Sequence, residues 1–188
     1  MSILKFWIFI LFCTCTCSSF GQNNEAKLSE NRAVRVPETS LTNLYKISAD
    51  LYRSEQPGKA EFAQLSQLGI VSVLNLRERN TDKEKAKTTK LVLYHVPMEA
   101  EDIKDADVVA ALKILRDCEK PVLVHCKHGA DRTGLIIAMC RIVFQNRTKE
   151  EALDELLHGG FGFHPVFKNI PQYLIKSDVD SLKNQLSF

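Results

Sequence analysis

The stretch Val122-Leu-Val-His-Cys-Lys-His-Gly-Ala-Asp-Arg-Thr-Gly134 carries the chemistry that is easiest to read from this chain. Cys126 ends an apolar, β-branched run that reads as a buried strand over 122–125. Five residues then separate it from Arg132. A tight loop leading into a helix start gathers backbone N–H groups into an anion nest. The same field favours a thiolate, the nucleophilic form of cysteine. Arg132 offers a planar fork that matches two oxygens of a tetrahedral oxyanion. The combination suits attack on phosphorus, with the arginine and loop amides holding the charge that redistributes in the transition state. The amides expected to hold the anion belong to Lys127, His128, Gly129, Ala130, Asp131 and Arg132. Gly129 permits a positive φ or a close backbone approach. The Thr133 hydroxyl can donate to the sulfur and make it a better leaving group. His125 can orient the loop through its ring nitrogens. Two plainer readings compete. A lone cysteine at a strand end is usually a small buried hydrophobe. His125, Cys126 and His128 could hold zinc, but no second ligand cluster stands at a familiar spacing.

The elements around this stretch must bring its parts together. Residues 45–47 and 50–53 read as short strands, and Pro57-Gly58 as a turn. Phe62, Leu65 and Leu68 give helical spacing over 60–68, with Gly69 at the stop. Residues 70–76 and 91–98 read as strands, separated by a charged loop with some helix over 77–90. Asp105 is placed to cap a helix over 106–117. Apolar residues fill a helix over 133–144, directly after the loop. Thr148 and Glu151 form a capping box for the next helix, which Gly159-Gly160 ends. A last helix is expected over 170–183. Strands alternating with helices predict an α/β domain with a mainly parallel central sheet flanked by helices.

His125-Cys126-x5-Arg132-Thr133-Gly134 resembles the signature loop of the protein tyrosine and dual-specificity phosphatase superfamily. Leu51-Tyr-Arg-Ser-Glu-Gln-Pro57 and Val73-Leu-Asn-Leu-Arg77 resemble the opening strands of its small, atypical dual-specificity members. The resemblance covers roughly residues 41–173. It implies a cysteine-phosphatase fold and a phospho-cysteine intermediate on Cys126. It also implies phosphoryl binding by Arg132 and no metal or organic cofactor. The substrates implied are phosphotyrosine or phosphoserine proteins, phosphoinositides or inositol phosphates.

Protonating the leaving oxygen calls for an acid near it. Many members of the superfamily carry an aspartate on a separate loop, here 97–104, which offers Glu99, Glu101 and Asp102. Some secreted bacterial relatives with an Asp-Arg-Thr ending use the aspartate within the signature loop, and the resemblance to them implies that role for Asp131. Asp131 is the favoured acid, with Asp102 and Glu101 as the alternatives. The plain reading of Asp131 is a carboxylate bound to loop amides or a neighbouring base. Arg53, Arg77 and Arg79 lie at strand ends and are weighed as substrate contacts. Gly159-Gly-Phe-Gly-Phe-His164 reads as a tight helix-to-helix connection rather than a pocket wall.

Composition bounds these readings. The chain has 188 residues, 45% hydrophobic and 26% charged, as in a globular protein. A net charge of +2 with no basic run gives no support for nucleic-acid binding. Residues 1–21 read as an export signal: Lys5, an apolar run too short to span a bilayer, then Ser19 and Gly21 before a cleavage point. The expected location is secreted or periplasmic, with an uncleaved membrane anchor as the alternative. Residues 22–40 read as a linker or flexible arm, and 41–188 as the phosphatase domain. Cleavage would leave Cys118, Cys126 and Cys140, a poor disulfide framework. Two other functions stay in competition: a phospho-ligand-binding module without turnover, and a sulfurtransferase.

Overall fold

The computed structural model describes residues 33–186, so the proposed export signal lies outside the described residues. Six strands form one sheet in the order β1-β2-β3-β6-β4-β5. They are β1 (Val34–Arg35), β2 (Tyr45–Lys46), β3 (Leu51–Ser54), β4 (Ser72–Asn75), β5 (Val92–His95) and β6 (Val122–His125). The first two pairings are antiparallel and the other three are parallel. β6 lies between β3 and β4, with Ser54 and Asn75 both in register with His125. The C-terminal ends of the three central strands therefore meet beside Cys126.

Both faces of the sheet are covered, as parallel strands require. Alternation assigns the faces: Val122 and Val124 join Leu74 in one core, while Leu123 joins Val73 in the other. The smaller core is closed by α1 (Lys59–Gln67), through Phe62 and Leu65. The larger core takes α3 (Asp105–Asp117), α4 (Asp131–Gln145), α5 (Lys149–His158), α6 (Asn169–Lys176) and α7 (Val179–Gln185). The short α2 (Asp82–Lys85) lies in the charged segment before β5. α4 is buried on almost every side, which explains its nearly unbroken apolar sequence. It is tied to α5 by a buried pair, with Arg141 Nε and Nη2 donating to the two Glu155 oxygens at 2.8 Å each.

Several elements differ from the sequence reading. Val34 and Arg35, within the segment read as an arm, pair with β2. Asp105 does not cap α3: Lys104 occupies that position without a side-chain bond, and the Asp105 carboxylate accepts from the Tyr173 hydroxyl at 2.7 Å. The last helix breaks at Ser177–Asp178, where Asp178 caps α7 by accepting from Ser181 N–H. The Thr148–Glu151 capping box forms as expected. α4 begins at Asp131, two residues before its predicted start. That difference puts Asp131 and Arg132 in the helix's first turn.

Candidate active site

Cys126 follows β6 directly and is 2% exposed. Residues 126–130 then turn into the N-terminus of α4. Four of the five carbonyls of this loop accept a hydrogen bond, and the fifth lies beside the His125 ring. His125 Nδ1 lies 3.3 Å from the Cys126 oxygen. The Gln56 N–H donates to Lys127 at 3.2 Å, and Asn43 Nδ2 donates to His128 at 2.9 Å. Arg53 Nη2 donates to Gly129 at 2.6 Å and reaches Ala130 at 3.4 Å. The Ala130 oxygen also accepts the N–H of Gly134 at 2.9 Å, the first hydrogen bond of α4. A planar trans peptide carries its N–H opposite its C=O. Pinning the carbonyls therefore fixes the amide directions, which is what an anion nest needs.

Gly129 is required by two constraints. Its φ is +71°, and a Cβ there would lie 2.5 Å from the Ser54 carbonyl. β3 thus presses directly against the loop.

Arg53 is 1% exposed and lies beneath the loop instead of facing substrate. Its guanidinium stacks 3.8 Å from the Phe161 ring centroid. Burial pulls its pKa down to about 10, against the opposing charges of Glu155 and Cys126, and the group stays cationic at neutral pH. Arg77 does not reach the pocket either: its Nη1 donates to Gln56 Oε1 at 2.8 Å.

His125 is fully buried. Its Nε2 meets Asp82 Oδ2 at 2.8 Å, while Gln56 Nε2 donates to Asp82 Oδ1 at 2.9 Å. Burial would raise the Asp82 carboxyl pKa. The hydrogen bond and charge of His125, with Gln56 and Lys85, overcome that and hold it below the ordinary carboxylate range. The sequence reading gave His125 no partners; the structure places Asp82 on its Nε2 and Gln56 behind Asp82.

Arg132 is anchored on one side only. Nη1 donates to the Met98 carbonyl at 2.8 Å and to Glu78 at 3.3 Å. Nε is buried without a partner among the described residues, so the Nε–Nη2 edge stays uncommitted there. The Thr133 hydroxyl is likewise buried without a partner; its expected bond to Cys126 is not made. A buried unsatisfied donor costs about 1–3 kcal/mol, which an oxyanion in the loop would relieve.

A cavity of about 360 Å³ opens over the loop. Cys126, Lys127, His128, Asp131 and Arg132 form its floor and one side. Glu78, Ala100 and Glu101 stand along its lining, as do His164, Val166 and Phe167. The acidic loop contributes Glu101, not Asp102, which is exposed and pairs with Lys104 at 3.5 Å. Asp131 is 4% exposed and engaged by His164: the His164 N–H donates to Oδ1 at 2.9 Å, and Nδ1 lies 2.9 Å from Oδ2. The Gly/aromatic segment connects α5 to α6, takes positive φ at Gly160 and Gly162, and brings only its last residue, His164, to the pocket lining. The His128 pKa is lowered by burial and by the neighbouring His164 and Lys127 charges.

Cys118 and Cys140 stand apart from this chemistry. Cys118 follows α3 and precedes β6, whereas Cys126 follows β6. Cys118, Cys126 and Cys140 are all buried and, among the described residues, free of disulfides. Cys140 is buried on α4, and burial raises its thiol pKa to about 12.

The Asp131–His164 pair and the support given by Arg53 and Asn43 were missed in the sequence. The available signals were charged residues in the strand-forming segment 51–57, and clustered glycines before His164.

Comparison with known proteins follows the same outline. Over 143 residues the chain is 38% identical to the dual specificity protein phosphatase TpbA of Pseudomonas aeruginosa, covering 75% of this chain and 65% of that protein. The structure of a Cys-to-Ser variant of TpbA in complex with pTyr superposes with a TM-score of 0.76 at 35% identity, covering 85% of this chain and 98% of that one. The catalytic core of the PP-IP phosphatase SIW14 from S. cerevisiae gives a TM-score of 0.65 at 28% identity, over 80% of this chain and 92% of that one. The profile of the tyrosine phosphatase family matches residues 40–158, spanning β2 to β6, the loop, α4 and α5, and on that match the chain belongs to the tyrosine phosphatase family.

Proposed function

We propose that this protein is a phosphatase that hydrolyses phosphomonoesters through a phospho-cysteine on Cys126. The observation that carries the reading is the loop itself. Four consecutive carbonyls, 127–130, are held by donors in a loop whose pocket is lined by Cys126 and Arg132, and Arg132 Nε has no partner among the described residues.

In the first step the Cys126 thiolate attacks phosphorus. The S–P bond forms as the P–O bond to the leaving group breaks, and the leaving oxygen takes a proton from an acid. The loop amides and Arg132 hold the three remaining oxygens. In the second step water attacks phosphorus, giving its proton to the conjugate base of that acid. The S–P bond breaks, releasing phosphate and the thiolate. Thr133, next to Arg132 in the sequence, carries the hydroxyl assigned to steady that sulfur. Asp131 remains the favoured acid, with Glu101 rather than Asp102 as the alternative. Nothing in these steps calls for a metal or organic cofactor.

The rim favours an aromatic phosphomonoester such as phosphotyrosine. Val166, 77% exposed, and Phe167 offer an apolar wall to a ring. Glu78 and Glu101 would repel a polyanion. The likeness to the PP-IP phosphatase SIW14 and the nearby Lys127 support inositol phosphates as a second reading. The Lys5-led apolar segment supports export. Among the described residues no helix is long and apolar enough to cross a membrane.

The test is burst kinetics with a chromogenic aryl phosphate on wild type and Cys126→Ser, followed by a panel of phosphotyrosine and phosphoserine peptides and inositol polyphosphates. A burst in wild type, none in the Ser variant, and highest kcat/KM on phosphotyrosine are expected. Turnover by the Ser variant would overturn the phospho-cysteine reading. A preference for inositol polyphosphates would overturn the aromatic one. A sulfurtransferase or a pure binding module would give no burst at all.

A further inference from the structure

The residues that flank Cys126 bring together a second set of donors that the proposed phosphatase chemistry does not require as a set. His128, on the loop, Asp131, in the first turn of α4, and His164, on the Gly/aromatic segment, offer ligand atoms that all lie within 4.8 Å of one another. All three line the same pocket as Cys126. The geometry points to an inhibitory site for a divalent transition-metal ion, zinc above all, held by His128, Asp131 and His164 in the pocket wall.

Two imidazoles and a carboxylate are a zinc-type donor set, with a fourth position left for water or an anion. Calcium and magnesium instead demand oxygen ligands, so they fit poorly. The spacing is close to what coordination needs. Donors held at about 2.0–2.1 Å in a tetrahedron stand about 3.3 Å apart. His164 Nδ1 and Asp131 Oδ2 are already at 2.9 Å, so this pair has to open by only a few tenths of an ångström. The His128 ring is exposed, with its centroid 5.0 Å from that of His164, and it can swing inward at little packing cost. The other Asp131 oxygen accepts the His164 N–H at 2.9 Å, which fixes the carboxylate as an outer partner would. On binding, a proton on His164 Nδ1, where the neutral tautomer carries one, is released to solvent.

The consequence for activity rests on the proposed function. A metal on Asp131 removes that carboxylate from proton transfer and places an ion in the pocket. Binding itself needs no phosphatase activity, so the two ideas can fail separately.

Calorimetric titration of reduced full-length protein with Zn²⁺ alone tests the site, on wild type, Cys126→Ser, His164→Ala and His128→Gln. One ion per chain is expected in wild type and in the Ser variant, with affinity at least tenfold weaker in each histidine variant. His128 is exposed, so its variant keeps the test valid if His164→Ala unfolds. Co²⁺ should give ligand-field bands without a thiolate charge-transfer band. Loss of binding in Cys126→Ser, or a thiolate band with Co²⁺, would assign the ion to the nucleophile and overturn the site. Unchanged affinity in His128→Gln and in folded His164→Ala would overturn it as well. In activity assays, Zn²⁺ should inhibit wild type in step with the occupancy measured by calorimetry, and a chelator should restore turnover. Full occupancy with undiminished turnover would overturn the inhibitory role and leave the binding site standing.

Discussion

Arg53 Nη2 donates to the carbonyl of Gly129 at 2.6 Å, so a buried cation on β3 sets the direction of a peptide in the loop above it. The guanidinium is covered by Phe161 and never reaches the pocket lining. Arg53→Met keeps an apolar stem against Phe161 and should remain folded, with a stability loss of about 1–3 kcal/mol because the Gly129 carbonyl is left without its donor. It should still lower kcat/KM on the order of 10²-fold, roughly 2.7 kcal/mol, because the Gly129 peptide loses its restraint. Melting curves, kcat/KM and vanadate inhibition constants measure both effects. A Met variant within about threefold of wild type, well under 1 kcal/mol, would show that the loop holds its own shape.

Arg132 is anchored at Nη1, leaving its Nε–Nη2 fork for the substrate. Arg132→Lys retains charge but cannot make two parallel bonds. A loss of several kcal/mol in kcat/KM is expected. If the Lys variant stays within about tenfold, or 1.4 kcal/mol, charge alone suffices and the fork is unimportant.

Asp131 separates chemistry from scaffolding through a leaving-group series. As the acid, Asp131→Asn should cost about 10²–10⁴-fold on poor leaving groups and much less on acidic ones. Glu101→Gln and Asp102→Asn should be mild. As a brace for His164, Asp131→Asn should instead lose activity equally across the series. A leaving-group-dependent defect at Glu101 alone would move the acid to the opposite wall.

Asp82 links stability to pH. Its folded pKa is lowered, so its contribution is fully present above the unfolded value of about 3.9 and is lost as pH falls through the folded value. Urea melts of wild type and Asp82→Asn should show a stability gap at neutral pH that narrows in acid. A gap that does not change with pH would mean that the His125–Asp82 contact contributes packing without charge.

The local sequence determined the elements that carry the reacting groups. The β-branched run 122–125, Cys126, the glycine and the apolar helix after it form a contiguous unit whose periodicity and turn chemistry are visible residue by residue. Thr148 and Glu151 were legible for the same reason, since a capping box is closed within one turn. Tertiary structure decided what surrounds that unit. Arg53, Asn43 and Gln56 reach the loop across strand neighbours, because β3 pairs with β6 in a sheet whose order the sequence does not print. His164 meets Asp131 across 33 positions, at the end of a Gly-rich segment with positive φ at Gly160 and Gly162. Glu101 rather than Asp102 faces the site because one residue of loop register decides which carboxylate points inward. Spacing along a chain fixes neighbours within an element. Contacts between elements depend on strand order and loop course, and those follow from packing two apolar cores at once.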